Sequence, residues 1–290
     1  MEDKPIFAVI GGSGLYDIPG LTQDKEHHLE TPFGKPSGLI VEGEIQGQKI
    51  LFLARHGKGH SINPGEVNYR ANIYALKQLG VDRIISVNAC GSLREDYQPG
   101  DLVIPDQIFD CTKKRNNTFF EDGFTAHVGV ADPYCPDLAN YLDLALQDGD
   151  ARVHTQGSFV IIEGPRFSTR AESNTFRAWG MSIVGMTSAP EAFLAREAEI
   201  CYTSIAHITD YDVWHSREEP VSVDMVLKVI AKNTDHIKKA ITYLAENSPE
   251  EQRSCSCLSA LKSAMITNPD VIPPETRQKL DLLVKKYLEE

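Results

Sequence analysis

Short apolar runs rich in β-branched residues recur along this chain, and three of them end abruptly in loops of small or polar residues. Residues 6–10 lead into Gly11-Gly12-Ser13-Gly14, residues 83–87 into Asn88-Ala89-Cys90-Gly91-Ser92, and residues 201–208 into Thr209-Asp210-Tyr211-Asp212. A continuous apolar run has no face to give to water, so as a strand it must be covered on both sides. Between the runs lie segments of helical spacing. Residues 68–79 carry Tyr69, Ile73, Leu76 and Leu79 and stop at Gly80; residues 136–147, 170–179 and 222–245 read the same way, and Pro190 suits the first turn of a helix reaching about residue 198. Strand and helix in alternation predict an α/β fold: a single domain with a central mixed β-sheet flanked by helices. Its main body spans 1–266, and a C-terminal linker and helix span 267–290.

Residues 38–45 and 48–54, joined across Gln46-Gly47, read as a hairpin, and residues 153–162 as one long strand. Residues 110–132 are polar and aperiodic, a candidate mobile loop or lid. In the tail, residues 257–266 continue helical and 268–274 form a Pro-rich linker. Residues 275–288 form an amphipathic helix with Leu280, Leu283, Val284 and Tyr287 on one face, able to pack on its own subunit or on a neighbour.

The balance of 29 basic against 41 acidic residues, a net charge of -12, argues against a phosphate-backbone or acidic-membrane binder and leaves a small-molecule site open. Met1 to Lys4 is charged, the first apolar run is too short for a secretory h-region, and no run approaches membrane length, so a cytoplasmic protein is expected. Six cysteines in a chain this long make no disulfide scaffold. Cys255-Ser256-Cys257 has no second ligand pair nearby, so no metal site is expected, and the pair reads as incidental in preference to redox-active.

Three stretches carry chemistry. The Gly11–Gly14 loop could cradle an anion on backbone N–H groups, although Asp17 stands where a dinucleotide fingerprint has its third glycine and the Gly-Lys-Ser/Thr of a P-loop is missing. Arg55-His56-Gly57-Lys58-Gly59-His60 concentrates basic groups at a strand end in an acidic protein, which suits an oxyanion. Asp210 and Asp212, one residue apart after a buried strand, point to the same side of an extended segment and could share a ligand, share a proton or hold a metal.

In order along the chain, Gly11-Gly12-Ser13-Gly14-Leu15, Thr31-Pro32-Phe33-Gly34, Arg55-His56-Gly57, Asn88-Ala89-Cys90-Gly91-Ser92-Leu93, Glu163-Gly164-Pro165-Arg166-Phe167, Met186-Thr187 and Thr209-Asp210-Tyr211-Asp212 resemble the trimeric purine nucleoside phosphorylases, in the branch acting on 5'-methylthioadenosine. The resemblance covers roughly residues 6–245 and not the far C-terminus. It implies phosphate-dependent cleavage of the N-glycosidic bond of 5'-methylthioadenosine to adenine and 5-methylthioribose 1-phosphate, in purine and methionine salvage. The alternative is action on adenosine, inosine or 5'-methylthioinosine. It further implies no cofactor beyond inorganic phosphate as co-substrate, and a homotrimer or dimer of trimers.

By the same resemblance Ser13, Arg55, His56, Asn88, Ala89 and Thr187 bind phosphate, with Ser13 and Asn88 standing where some relatives have Thr. Phe167, Ser168 and Met186 line the nucleoside, Met186 lying under the ribose. Val223, Val226 and Leu227 form the apolar pocket for the 5'-methylthio group, and His127 reaches in from an adjacent subunit. Asp210 protonates or hydrogen-bonds purine N7, and Asp212 supports it and reads the exocyclic amine. For an Asp to serve as an acid its pKa must rise, and a neighbouring carboxylate in a dry pocket supplies two causes.

Overall fold

The computed structural model describes residues 7–12, 18, 20–147, 149, 151–215, 223–247 and 254–288, with the side chains of 23, 24, 223–228 and 230–232 outside the description. Its strands are β1 (Phe7–Gly11), β2 (Thr22–His27), β3 (Ile40–Ile45), β4 (Gln48–Ala54), β5 (Arg83–Ser92), β6 (Leu102–Val103), β7 (Gln107–Asp110), β8 (Val153–His154), β9 (Ser158–Ile161), β10 (Ile183–Gly185) and β11 (Cys201–Asp210). The helices are α1 (Tyr69–Gln78), α2 (Pro136–Leu146), α3 (Arg170–Ala178), α4 (Ser188–Glu197), α5 (Val223–Glu246) and α6 (Pro274–Leu288). No described helix is long and apolar enough to cross a membrane.

The strands form one mixed sheet in the order β2-β3-β4-β1-β5-β10-β9-β7, with β11, β6 and β8 branching from β5. Alternate side chains of each apolar run enter different cores, as the two-residue period requires. Ala8, Ile10, Leu51, Leu53 and Ile84 pack on the α1, α4 and α6 side. Phe7, Val9, Ile50, Phe52 and Ile85 pack with Leu142, Ala145, Ile237, Ile241 and Leu244 of α2 and α5.

Strand β5 organises the rest. Its Ile84 to Ser86 pair in parallel with β1, and Arg83 to Gly91 pair in parallel with β11. Gly91 and Ser92 pair antiparallel with β10. Between the point where β1 leaves and β10 joins, Val87 to Cys90 have β11 on one edge and, among the described residues, no ladder partner on the other. Ala89 is exposed there in an otherwise buried strand, so the sheet opens a cleft at a topological switch point, where α/β folds bind ligands.

The predicted hairpin is present as β3 and β4 in antiparallel register, turning through positive φ at Gln46 and Gly47. Other expectations are corrected. Residues 153–162 are not one strand: β8 pairs with β6 whereas β9 pairs with β10 and β7, so the chain must break between partners, and Gly157 stands at the break with a Cβ-sized approach to Ser182. Residues 110–132 are not a free lid, because Phe119, Phe120 and Phe124 sink into the core. Residues 257–266 hold only a 3-10 turn at Cys257–Ser259. The last helix packs on its own subunit, burying Leu280, Leu283 and Val284 with Leu261 and Ile272. Finally, folding brings Cys135 and Cys201 to Cys255 and Cys257, overturning the reading that this pair lacks ligand partners.

Candidate active site

The cleft beside β5 is floored by a buried polar chain. Asn88 is its hub: its Oδ1 accepts from Thr187 Oγ1 at 2.6 Å, and its Nδ2 donates to Ser204 Oγ at 2.6 Å and Ser86 Oγ at 3.0 Å. Ser86 in turn donates to Glu191 Oε1 at 2.9 Å and accepts from Arg55 Nη2 at 2.6 Å. Arg55 grips the same carboxylate through Nε at 2.8 Å and Nη2 at 2.9 Å, a two-pronged ion pair, while Tyr202 donates to it at 2.9 Å. Burial alone would lower the Arg55 pKa, but Glu191 reverses this and holds the guanidinium above its ordinary value. Nη1 donates to Val87 O at 3.1 Å and keeps one N–H without a partner among the described residues. Nη2 also reaches the Ile10 carbonyl at 3.3 Å, so Arg55 is largely committed to holding the ends of β1 and β5 together, with a single donor left for a ligand.

His56, next along, donates from Nδ1 to the Ile62 carbonyl at 2.9 Å, which fixes the neutral tautomer with a lone pair on Nε2. Its ring stacks on His60 at 4.3 Å. Burial, then the adjacent Arg55 charge, push its pKa down to about 4.

At the far end of β11 the two carboxylates meet as expected. Asp210 Oδ1 accepts from the Asp212 backbone N–H at 2.7 Å and its Oδ2 accepts from Thr209 Oγ1 at 2.6 Å. Asp212 takes a left-handed φ of 49°, a conformation Asp tolerates better than most residues. Gly91 makes room for this turn: a Cβ there would lie 2.9 Å from Asp210 Oδ1 and 3.2 Å from the Asp212 nitrogen. The Asp210 pKa is raised to about 6 chiefly by burial, with the Thr209 and Asp212 hydrogen bonds opposing and the Asp212 charge adding a smaller push. The expected two causes are therefore unequal. Burial raises Asp212 as well, against the hydroxyls of Ser173 and Ser168. Asp212 Oδ2, Ser168 Oγ and Ser173 Oγ are gathered at one buried spot, the two hydroxyls turned to the carboxylate but short of well-formed hydrogen bonds. Buried polar atoms are rarely left so unless a ligand or water completes them.

Beside Thr187 stands Met186, whose sulfur lies 2.6 Å from where a Cβ on Gly164 would be, and beside Ser168 stands Phe167, 42% exposed. Arg115 secures this wall, donating from Nη1 to the carbonyls of Met186 and Ala189, both at 2.6 Å, and from Nη2 to Glu163 O at 2.8 Å. Trp214 closes the Asp turn, its Nε1 donating to Ser92 O at 2.7 Å under the Arg177 guanidinium.

The chain thus gathers Arg55, His56, Asn88, Ala89, Thr187, Met186, Ser168, Asp210 and Asp212 around the open edge of β5. It does not bring His127 to them: that residue is exposed, with its backbone N–H bonded to Ala264 O at 2.8 Å. Ser13, and the side chains of Val223, Val226 and Leu227 on α5, lie outside the described residues. Sequence reasoning missed Glu191, Ser86, Ser204 and Arg115. Glu191 sits in a run of small apolar residues, where an acid invites the question of its partner.

Comparison with known proteins adds independent findings. A family model described as the phosphorylase superfamily matches residues 6–246. An S-methyl-5'-thioadenosine phosphorylase of Geobacter sulfurreducens is 51% identical over 286 residues, covering 98% of this chain and 100% of that one. A methylthioadenosine phosphorylase crystal structure from an antarctic soil metagenomic library superposes with a TM-score of 0.90 at 46% identity, covering 97% of this chain and 99% of the other. The Schistosoma mansoni methylthioadenosine phosphorylase in complex with adenine superposes at 0.83 and 40% identity, covering 90% and 97%.

Proposed function

The chain belongs to the phosphorylase superfamily, and from that membership and its cleft we infer that it splits the N-glycosidic bond of S-methyl-5'-thioadenosine with inorganic phosphate, releasing adenine and 5-methylthioribose 1-phosphate. The observation that carries the reading is the buried carboxylate pair Asp210 and Asp212 at the end of β11, in one site with the Asn88–Thr187 cradle. The alternative substrates with a 6-oxopurine are not favoured, since hypoxanthine would set an acceptor against carboxylate oxygens whereas adenine offers its N6 donor.

The geometry supports a division of labour. Phosphate lies on the Asn88-Ala89 edge, where exposed Ala89 lets it approach the backbone. Arg55 offers its remaining Nη1–H, and the Thr187 hydroxyl turns from Asn88 Oδ1 to the anion. Ser13 completes the shell in this reading. Neutral His56 accepts from a phosphate P–OH at Nε2, or takes up a proton as the dianion's charge raises its pKa. Phosphate so held faces the cationic C1' of the ribose as the purine departs, over Met186 as an apolar floor.

Asp210, with a pKa of about 6, is roughly a tenth protonated at pH 7 before substrate binds, and burial under a purine raises that share. It then delivers a proton or a strong hydrogen bond to N7 as charge enters the base, work worth about 10²–10⁴-fold. Asp212 accepts from the exocyclic amine. By resemblance the methylthio pocket is assigned to Val223, Val226 and Leu227, and His127, exposed on its own subunit, to the cleft of a neighbour in a homotrimer or dimer of trimers. No cofactor beyond phosphate and a cytoplasmic location complete the reading.

The test is adenine release from S-methyl-5'-thioadenosine with and without phosphate, followed by chromatography. Release that requires phosphate and yields the sugar 1-phosphate is expected; equal release without phosphate would make the enzyme a hydrolase and overturn the reading.

A further inference from the structure

Four thiols from three distant parts of the chain meet away from the cleft, and we propose that Cys135, Cys201, Cys255 and Cys257 together bind one zinc ion. Their Sγ atoms all lie within 4.8 Å of one another, and those of Cys201 and Cys255 are 3.5 Å apart. Four sulfurs held tetrahedrally at Zn–S bonds of about 2.3 Å are about 3.8 Å from each other. The 3.5 Å separation is far longer than the roughly 2.0 Å of a disulfide. An iron–sulfur cluster, with inorganic sulfide between its irons, would hold the thiols further apart.

The placement explains why spacing alone hid the site. Cys135 is the residue before α2, Cys201 begins β11, and Cys255 and Cys257 follow α5. Ser256, at φ -82° and ψ 5°, curls the chain into the 3-10 turn that Cys257 begins, which turns the sulfurs of Cys255 and Cys257 to the starts of β11 and α2, where Cys201 and Cys135 supply the other two.

The surroundings suit a charged centre. Zinc with four thiolates carries a net charge of -2, and such a centre needs donors and positive charge around it. Arg196, itself buried, points Nη1 at Cys257 Sγ from 3.4 Å. The eleven-residue α2 directs its N-terminal N–H groups towards Cys135. Asp137 accepts from the backbone N–H of Ser254 at 2.9 Å and of Cys255 at 2.8 Å, fixing the loop that delivers two ligands. Cys135, Cys201 and Cys257 are buried with Leu138, so the site is closed and structural, with no position for substrate. On binding, the thiols release their protons to solvent and no electron is transferred.

The ion would fasten the segment after α5 to the body. That segment supplies Leu261, whose N–H bonds Glu199 Oε1 at 3.1 Å, and the carbonyl of Ala264, which holds the His127 backbone at 2.8 Å. The start of β11 would be clamped at one end, with Asp210 at the other.

The decisive experiment is elemental analysis of the full-length protein purified under reductant from zinc-containing medium, paired with thiol counting. About one zinc per chain is expected, released when a mercurial titrates the thiols, and Cys257→Ser should fall below about 0.1 per chain. Because that variant could fail to fold, wild-type protein loaded with cobalt provides a second readout: the visible bands of tetrahedral tetrathiolate cobalt should appear and be abolished by added zinc. Protein without zinc whose thiols are free, or whose mass shows four hydrogens lost to two disulfides, together with no cobalt bands, overturns the proposal.

Discussion

Replacing Asp210 with Asn should make the protein more stable and far less active, with the stability gain appearing only above a definite pH. In the folded state burial raises the Asp210 pKa from 3.8 to about 6. The native state therefore binds a proton between pH 4 and 6 that the unfolded chain has already released. The stabilisation from that proton is full below pH 4 and is lost as pH rises through 6, at about 1.36 kcal/mol per unit. The shift of 6 less 3.8 makes the wild-type penalty about 3 kcal/mol above pH 6. Asparagine carries no such penalty, can still accept from the Asp212 N–H through Oδ1, and faces Thr209 Oγ1 with an NH₂ that the hydroxyl can accept.

At about 2 °C per kcal/mol for a chain of this size, Asp210→Asn should melt roughly 6 °C above wild type at pH 7.5 and level with it near pH 4. Its kcat for S-methyl-5'-thioadenosine should fall about 10²–10⁴-fold, with the loss on inosine smaller because an amide can donate to O6. Thermal melts across pH, read beside initial rates on both nucleosides, test this. A pH-independent difference in melting temperature would refute the linkage, and equal loss on both substrates would leave Asp210 as the acid alone.

Other perturbations separate the parts of the site. Glu191→Gln strips the charge that pairs Arg55 in a dry environment and should cost about 3 kcal/mol, lowering the melting temperature and raising KM for phosphate more than KM for nucleoside; an unchanged phosphate KM would show that the pair is purely structural. Gly91→Ala places a methyl 2.9 Å from Asp210 Oδ1, so kcat/KM should drop at least about tenfold in folded protein, and wild-type rates would contradict the packing account. Leu280→Ala in the buried face of α6 should cost about 2–5 kcal/mol in a denaturation experiment; a neutral change would mean the helix is not part of the core.

The sequence made the strand ends legible because strand, glycine loop and functional residue come in immediate succession. Residues 83–87 before Asn88-Ala89, and 201–208 before the Asp pair, announce both the sheet and where it opens. Neighbours distant in sequence were not legible. Glu191 carries no mark of its tie to Arg55, 136 positions away, and Arg115 looks like surface charge in a polar loop until its guanidinium is found bonding Met186, Ala189 and Glu163. The break between β8 and β9 follows from a change of pairing strand, which residue pattern does not encode. The thiol cluster was hidden for the same reason, its members joined only by tertiary folding.

The most direct test of a carboxylate pair that reads a 6-aminopurine is a competition at saturating phosphate between S-methyl-5'-thioadenosine and S-methyl-5'-thioinosine, which differ only at position 6. A kcat/KM ratio of at least about 10² in favour of the amine is predicted, from an N6 donor matched in one case and an O6 acceptor set against buried carboxylates in the other. Equal rates, or a preference for the 6-oxo compound, would contradict the assignment of Asp210 and Asp212 to the purine.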